Sequence, residues 1–385
     1  MTKQEFHKLL EQTKVILDGA TGSNLQKRGM PAGVCPEEWI LENPDILCGL
    51  QREYIQAGST IIYAPTFSGN RIKLEEYGLG EKIGQMNRDL VAISKDAVAK
   101  ENAEGRVFVA GDLTMTGKQV EPVGSLPFEE LVSIYKEQIG YLAEAQVDLL
   151  VVETMMSLQE CRAAVIAAKE TTDLPVMVSL SFTEEGRTLF GTDPATASLV
   201  LTTLGVDAVG INCSTGPDKM LGVIKEMKRY SDLPIIAKPN AGLPQMENGE
   251  TIYDMEAGEF AEEMFLLAVE GADILGGCCG TTPEYIEKMV CLLKEKGCME
   301  KTGCYKRGDF VVRRALSGER FTKEIDLDGP FQVIGERINP TGKSRFKQAL
   351  RDNDLEYIYR EALVQQEKGA QILDVNVGLP EIDER

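Results

Sequence analysis

Three of the nine cysteines stand where a soft metal could be held: Cys213 closes the apolar run VDAVGINC, and the adjacent Cys278 and Cys279 close ADILGGCC. Three thiolates suit zinc, and a set of three leaves the fourth tetrahedral position open for water or substrate, the mark of a catalytic site. A free thiol has a pKa of roughly 8.5 and is mostly protonated at neutral pH, whereas coordination to zinc removes the proton. A thiol substrate entering the vacancy would become a nucleophile without a histidine base. The chain has one histidine, His7, ahead of the first expected strand, so a metal site in the folded body must rest on Cys, Asp or Glu. Cys35, Cys48, Cys161, Cys291, Cys298 and Cys304 read as buried, inert thiols, the common state of free cysteine.

The elements that must position the trio are short apolar runs, each followed by an amphipathic stretch: KVILDG, STIIYAPTF, RVFVAGD, VDLLVVET, LPVMVSLSF, VDAVGINC, LPIIAKPN and ADILGGCC. Several are apolar at consecutive positions, which suits parallel strands buried on both faces. Helical spacing recurs between them, over 127–145, 254–270 and 283–296, and Pro194, Pro217 and Pro283 mark helix starts. Eight such units predict a closed (β/α)8 barrel, whose active sites lie at the carboxyl ends of the strands. Strands six and eight share the parity that places side chains at one height. Adjacent cysteines in a regular strand would face opposite ways, and Gly276, Gly277 and Gly280 are expected to let the backbone leave that geometry.

A formal net charge of −20 opposes binding to a polyphosphate backbone, so nucleic acid is not expected as a partner. No Gly-x-Gly-x-x-Gly follows the first strand and no Gly-Lys-Ser/Thr loop occurs, which argues against a nucleotide site. The amino terminus lacks a secretory apolar core and no segment has about 18 consecutive apolar residues, so a cytoplasmic protein without a membrane partner is expected. Nine cysteines in a reducing compartment then argue against a disulfide framework. The expected organisation is a barrel over 1–300, a charged linker over 301–330, and the incomplete start of a second α/β domain over 331–385.

GINCSTGP at Cys213 and GGCCGTTP at Cys278 and Cys279, with ILDGATGSNL at 16–25, APTFSGN at 64–70, VVET at 151–154 and KPNAG at 238–242, resemble the homocysteine S-methyltransferase family. The resemblance covers about residues 1–300. GERINPTG at 335–342 and LDVNVG at 373–378 resemble the opening of a pterin-binding barrel, a domain found in the cobalamin-dependent branch of the family. This resemblance implies a zinc-held homocysteine, methylated by methylcobalamin on a module outside this chain, with methyltetrahydrofolate as the methyl source and methionine as product.

The family's homocysteine-contacting positions fall on Asp18 and Glu153, which the resemblance assigns to the substrate ammonium. Gly19 and Ala20 follow Asp18, where backbone N–H groups could receive the substrate carboxylate. The Thr66 hydroxyl could assist, while Asn212 and Asn240 are expected to orient the rim. In the tail, Glu336, Asn339, Asp374 and Asn376 resemble pterin-contacting positions. Three rival readings remain: a methyltransferase using betaine or S-methylmethionine, against which the pterin-like tail argues; a closed structural zinc module; and a Schiff-base enzyme working through Lys238.

Overall fold

The computed structural model describes residues 1–247, 250–300, 314–380 and 382. The chain divides into two compact units, Met1–Val312 with Ser317–Thr322, and Arg313–Leu316 with Lys323–Arg385. Part of the expected linker, 301–313, lies outside the described residues, and Cys304 with it.

In the first unit the strands are β1 (Val15–Ile16), β2 (Ile61–Tyr63), β3 (Phe108–Leu113), β4 (Leu149–Met155), β5 (Val176–Leu180), β6 (Ala208–Asn212), β7 (Ile235–Lys238), a hairpin of β8 (Pro244–Glu247) and β9 (Glu250–Tyr253), and β10 (Ala272–Leu275). The eight strands β1–β7 and β10 form one sheet in the order β1-β10-β7-β6-β5-β4-β3-β2. A parallel bridge between Leu17 and Ile61 joins its two edges, so the sheet closes as a (β/α)8 barrel. All seven pairings within the sheet are parallel.

Alternation along each strand divides the core. Val15, Leu17, Ile61, Tyr63, Ala110, Leu149, Val151, Met177, Ala208, Ile236 and Ile274 form one buried cluster inside the barrel, while Ile16, Ile62, Val109, Leu150, Val152, Val178 and Val209 pack outward against the helices. The inner cluster is completed by Phe6 and Leu10 of an amino-terminal helix, Lys3–Gln12, which begins with a Thr2–Glu5 capping box. His7 lies on this helix with Nε2 3.0 Å from Asp207 Oδ1, so the only histidine is part of the folded body, against the expectation, but it meets the start of β6, whereas Cys213 follows that strand's end.

A repeated device orders the amino-terminal end of the strands. Asp148, Asp207 and Asp273, at the starts of VDLL, VDAV and ADIL, each accept a backbone N–H from the neighbouring odd-numbered strand, from Val109, Val176 and Ile235. Helices begin at Pro194, Pro217 and Pro283, as the proline positions predict. Among the thiols read as inert, Cys35, Cys48, Cys161 and Cys298 are buried; Cys291, by contrast, is exposed on the outer face of its helix. No helix among the described residues is long and apolar enough to cross a membrane.

The second unit contains two parallel strands, Ile334–Ile338 and Ile372–Val375, connected through helices Ser344–Arg351 and Leu355–Glu367. Glu336, Asn339, Asp374 and Asn376 lie on or just beyond these strands, and Asn339 donates to Glu336. Glu336, Asp374 and Asn376 are exposed.

Candidate active site

β6 and β10 deliver the three cysteines, and β7 runs between them. Their Sγ atoms all lie within 4.8 Å of one another, and no carboxylate or imidazole joins the group among the described residues. The segment after β7 laces the two cysteine-bearing ends together through its backbone. Cys213 donates to Lys238 O (3.1 Å), Cys278 donates to Pro239 O (2.6 Å), Asn240 donates to Thr215 O (3.0 Å) and Ala241 donates to Cys279 O (2.9 Å). KPNAG is therefore a backbone template for the trio.

Local conformation then turns the sulfurs inward. Cys213 and Ser214 have φ of 59° and 63°, left-handed values that non-glycine residues seldom adopt and that cluster at functional sites. Beyond Cys279 the chain turns at Gly280, with φ 83°, where an added Cβ would lie 2.4 Å from the Tyr253 ring. Gly276 and Gly277 are not left-handed; they are required for close approach, an added Cβ meeting Leu17 Cβ at 2.7 Å and Thr281 Oγ at 2.3 Å respectively. Thr281 in turn donates to Cys278 O (2.7 Å) and accepts the Ala20 N–H (3.1 Å), tying the cysteine loop to the loop after β1.

The trio opens into a cavity of about 270 Å³ lined also by Asp18, Glu153, Lys238, Tyr63 and Asp112. Lys238 is buried, with Nζ 3.6 Å from Glu153 Oε2 and 4.8 Å from the centroid of the Tyr63 ring. Asp18 Oδ2 accepts the Tyr63 N–H at 2.8 Å, while Oδ1 has no partner. Burial pushes the Asp18 and Glu153 carboxyls up to about 7 in spite of the opposing charge of Lys238. Burial works against the charge on Lys238, but Glu153 first and then Cys278 and Asp18 hold its pKa well above the ordinary value. A lysine paired in this way is held as a cation, which argues against the Schiff-base rival.

Where a carboxyl titrates higher in the folded than in the unfolded state, about 4, it favours folding at low pH and opposes it as pH rises through the folded value. Asp18→Asn is therefore expected to raise the stability of the free protein at pH 8 by about 1–2 kcal/mol, and to have little effect near pH 4. Urea unfolding at the two pH values checks this, and equal shifts at both would refute it.

The remaining expected residues fall in different places. Gly19 lines the cavity, and its N–H makes no hydrogen bond among the described residues. The Ala20 N–H is taken by Thr281, so it is not available to a substrate carboxylate. Thr66 is fully buried, its hydroxyl donating to Asp112 O (2.9 Å) and accepting the Asp112 N–H (3.0 Å), and it does not line the cavity. Asn212 binds both sides of Thr154, accepting its N–H and donating to its hydroxyl, each at 2.8 Å; Thr154 follows Glu153 with φ 59°. Asn240 is buried, its Oδ1 without a partner.

Four residues at the site escape the sequence reading. Asp112 stands on β3 in step with inward-facing Ala110, the same two-residue count that brings Glu153 inside after Leu149 and Val151. Counting alternate positions would have found it. Tyr63 and Thr154 adjoin or sit within strand ends already recognised. Tyr253, on the unforeseen hairpin, sets its ring against Gly280 of the cysteine loop and is the fourth. Three thiolates within 4.8 Å of one another would repel, so each raises the cost of ionising the next. A donor set of three converging sulfurs that cannot all ionise unaided fits a thiophilic dication.

Residues 15–293 match the family described as homocysteine S-methyltransferase. Among curated proteins, the methionine synthase of Mycobacterium tuberculosis (strain ATCC 25618 / H37Rv) is 27% identical, the alignment covering 96% of this chain and 31% of that protein. The methionine synthase of Mycobacterium leprae (strain TN) is 28% identical with the same coverage of 96% and 31%. The chain thus spans about a third of the length of these relatives. Among solved structures, the metallated form of the homocysteine methyltransferase MmuM from Escherichia coli superposes with a TM-score of 0.63 at 21% identity, covering 74% of this chain and 98% of that one. Its apo form gives 0.58 at 20% identity, covering 72% and 95%. These two superpositions bear on the fold.

Proposed function

Since this chain belongs to the homocysteine S-methyltransferase family, we propose that its barrel binds homocysteine in the cavity at the strand ends and presents the substrate sulfur for methylation to methionine. The observation that carries this reading is the convergence of three cysteine sulfurs on the same cavity as the buried carboxyl groups of Asp18 and Glu153, each with an oxygen that accepts no hydrogen bond among the described residues. Cys213, Cys278 and Cys279 would hold zinc, which when bound keeps a thiol substrate deprotonated and nucleophilic at neutral pH. The group contains no fourth protein ligand of carboxylate or imidazole type among the described residues, which favours an open site over a closed structural one.

The chain's own residues do the positioning. Asp18 and Glu153 receive the α-ammonium, and Lys238 holds Glu153 and offsets the charge that three buried carboxylates would otherwise concentrate. Gly19 offers its free N–H to the α-carboxylate. Asn212 holds Thr154 in its left-handed turn and so sets the height of Glu153. KPNAG fixes the separation of the cysteines. In the overall reaction the sulfur gains a methyl group from the donor and the thiol proton passes to solvent.

The finer reading is that the donor is methylcobalamin on another module of a longer protein, recharged by methyltetrahydrofolate. The pterin-like tail motifs at Glu336, Asn339, Asp374 and Asn376 support it, as does the partial coverage of relatives named methionine synthase. Cytoplasmic location goes with the same reading. Zinc-edge X-ray absorption tests the core of the proposal: homocysteine is expected to add one sulfur to the metal's shell, and an unchanged shell would overturn the open-site reading.

A further inference from the structure

Counting charges around the cavity leaves one carboxylate without an assigned partner. Glu153 has Lys238 at 3.6 Å, and Asp18 has the Tyr63 N–H at 2.8 Å. Asp112 has neither: its side chain is 5% exposed, its Oδ1 is buried with no hydrogen-bond partner, and its backbone N–H and C=O are both clamped by the Thr66 hydroxyl. The clamp fixes the backbone from which the side chain springs, and Asp112 stands in the cavity wall. Buried polar groups are almost always satisfied, so an orphan of this kind at a cavity wall implies that its donor arrives with a ligand.

From this geometry we propose that Asp112 is a specificity-determining residue of the substrate pocket, a third carboxylate that accepts a hydrogen bond from the substrate's α-ammonium. This assignment rests on the homocysteine reading and extends it. Four carboxyl groups line the cavity against one lysine. Glu37 is already engaged by the Ser68 N–H and the Cys35 thiol, and the other three leave the pocket short of positive charge and of N–H donors, both of which an α-ammonium supplies, with three N–H groups to share among three acceptors. Burial, and then the neighbouring charge of Glu153, hold the free Asp112 carboxyl well above the usual carboxylate range, so an arriving cation also relieves an unfavourable ionisation. A thiol acid without the amino group brings neither benefit. The pocket thereby selects amino-acid thiols over simple mercapto acids of the same length.

Calorimetric titration of the zinc-loaded chain with homocysteine and with 4-mercaptobutanoate, its counterpart lacking the amino group, separates the possibilities. Asp112→Asn keeps the shape and removes the charge. It is expected to weaken homocysteine by about tenfold or more, the loss of a charge-assisted hydrogen bond, while 4-mercaptobutanoate is unchanged or tightened. A variant in which both ligands weaken in parallel, or neither changes, overturns the assignment. Wild-type protein that binds neither thiol overturns the homocysteine reading itself, and Asp112 with it. Should Asp112→Asn fail to fold, Asp112→Ser carries the same comparison.

Discussion

Cys278→Ser is expected to lose its zinc on dialysis against a chelator that leaves the wild-type metal in place. The change replaces a soft thiolate with a hydroxyl that stays protonated at neutral pH, and it removes one of the three cysteine donors that converge among the described residues. Loss of an outer hydrogen-bonding partner alone lowers metal affinity about 10–100-fold, so loss of a ligand should exceed about 100-fold. The fold should survive, because Cys278 keeps its place through its N–H to Pro239 O and through Thr281, neither of which involves the sulfur. Cys291→Ser, on an exposed thiol, is the control and should change neither metal content nor stability. Stoichiometric zinc retained by Cys278→Ser would end the case for the trio as a metal site.

Lys238→Met should have the largest effect on stability. The side chain is buried, and its removal takes the ion-pair partner from Glu153 and leaves a cavity lined by carboxyl groups without a lysine or arginine among the described lining residues. Breaking a buried ion pair from one side costs about 3–5 kcal/mol. The loss should depend on pH in a defined direction. Asp18 and Glu153 already titrate near 7 with the lysine present, and without it they move higher still. Such carboxyls oppose folding from the unfolded value of about 4 upward, but the part of that penalty the lysine had offset appears only as pH passes the wild-type folded value of about 7, so the loss should be large at pH 8 and shrink toward pH 5. Urea midpoints at the two pH values measure this. A penalty of equal size at both would mean that Lys238 stabilises by packing alone.

Much of the barrel is legible from the order of apolar runs, because a buried parallel strand must be apolar on both faces and the helices between keep a 3.6-residue period. The helix at 128–144 lies within one residue of the period traced by Leu131, Tyr135, Ile139 and Leu142. Cys213, Cys278 and Cys279 are legible for a related reason: each ends a strand, and strand ends share one rim. Asp112 is different. Nothing in its immediate neighbours marks it, and only its phase relative to Ala110 shows that it faces inward. The amino-terminal helix and the β8–β9 hairpin are harder again, since KQEFHKLLEQ is mostly polar and declares its buried face only through Phe6 and Leu10. The lacing of the cysteine loops by KPNAG could not be read at all, because these backbone N–H and C=O partners, from Cys213 with Lys238 to Cys278 with Pro239, are far apart in the chain and set by sheet order, and side-chain identity carries no record of them.

The joint between β1 and β10 sets the order of events as the protein is made. The Asp18 C=O receives the Gly277 N–H at 3.0 Å, and the Ala20 N–H reaches Thr281, 261 residues later in the chain. The segment that seals the cylinder also carries two of the three thiols. On the ribosome, then, every stave up to β7 emerges before Cys278 and Cys279, so Cys213 cannot meet its two companions until the last strand is in place.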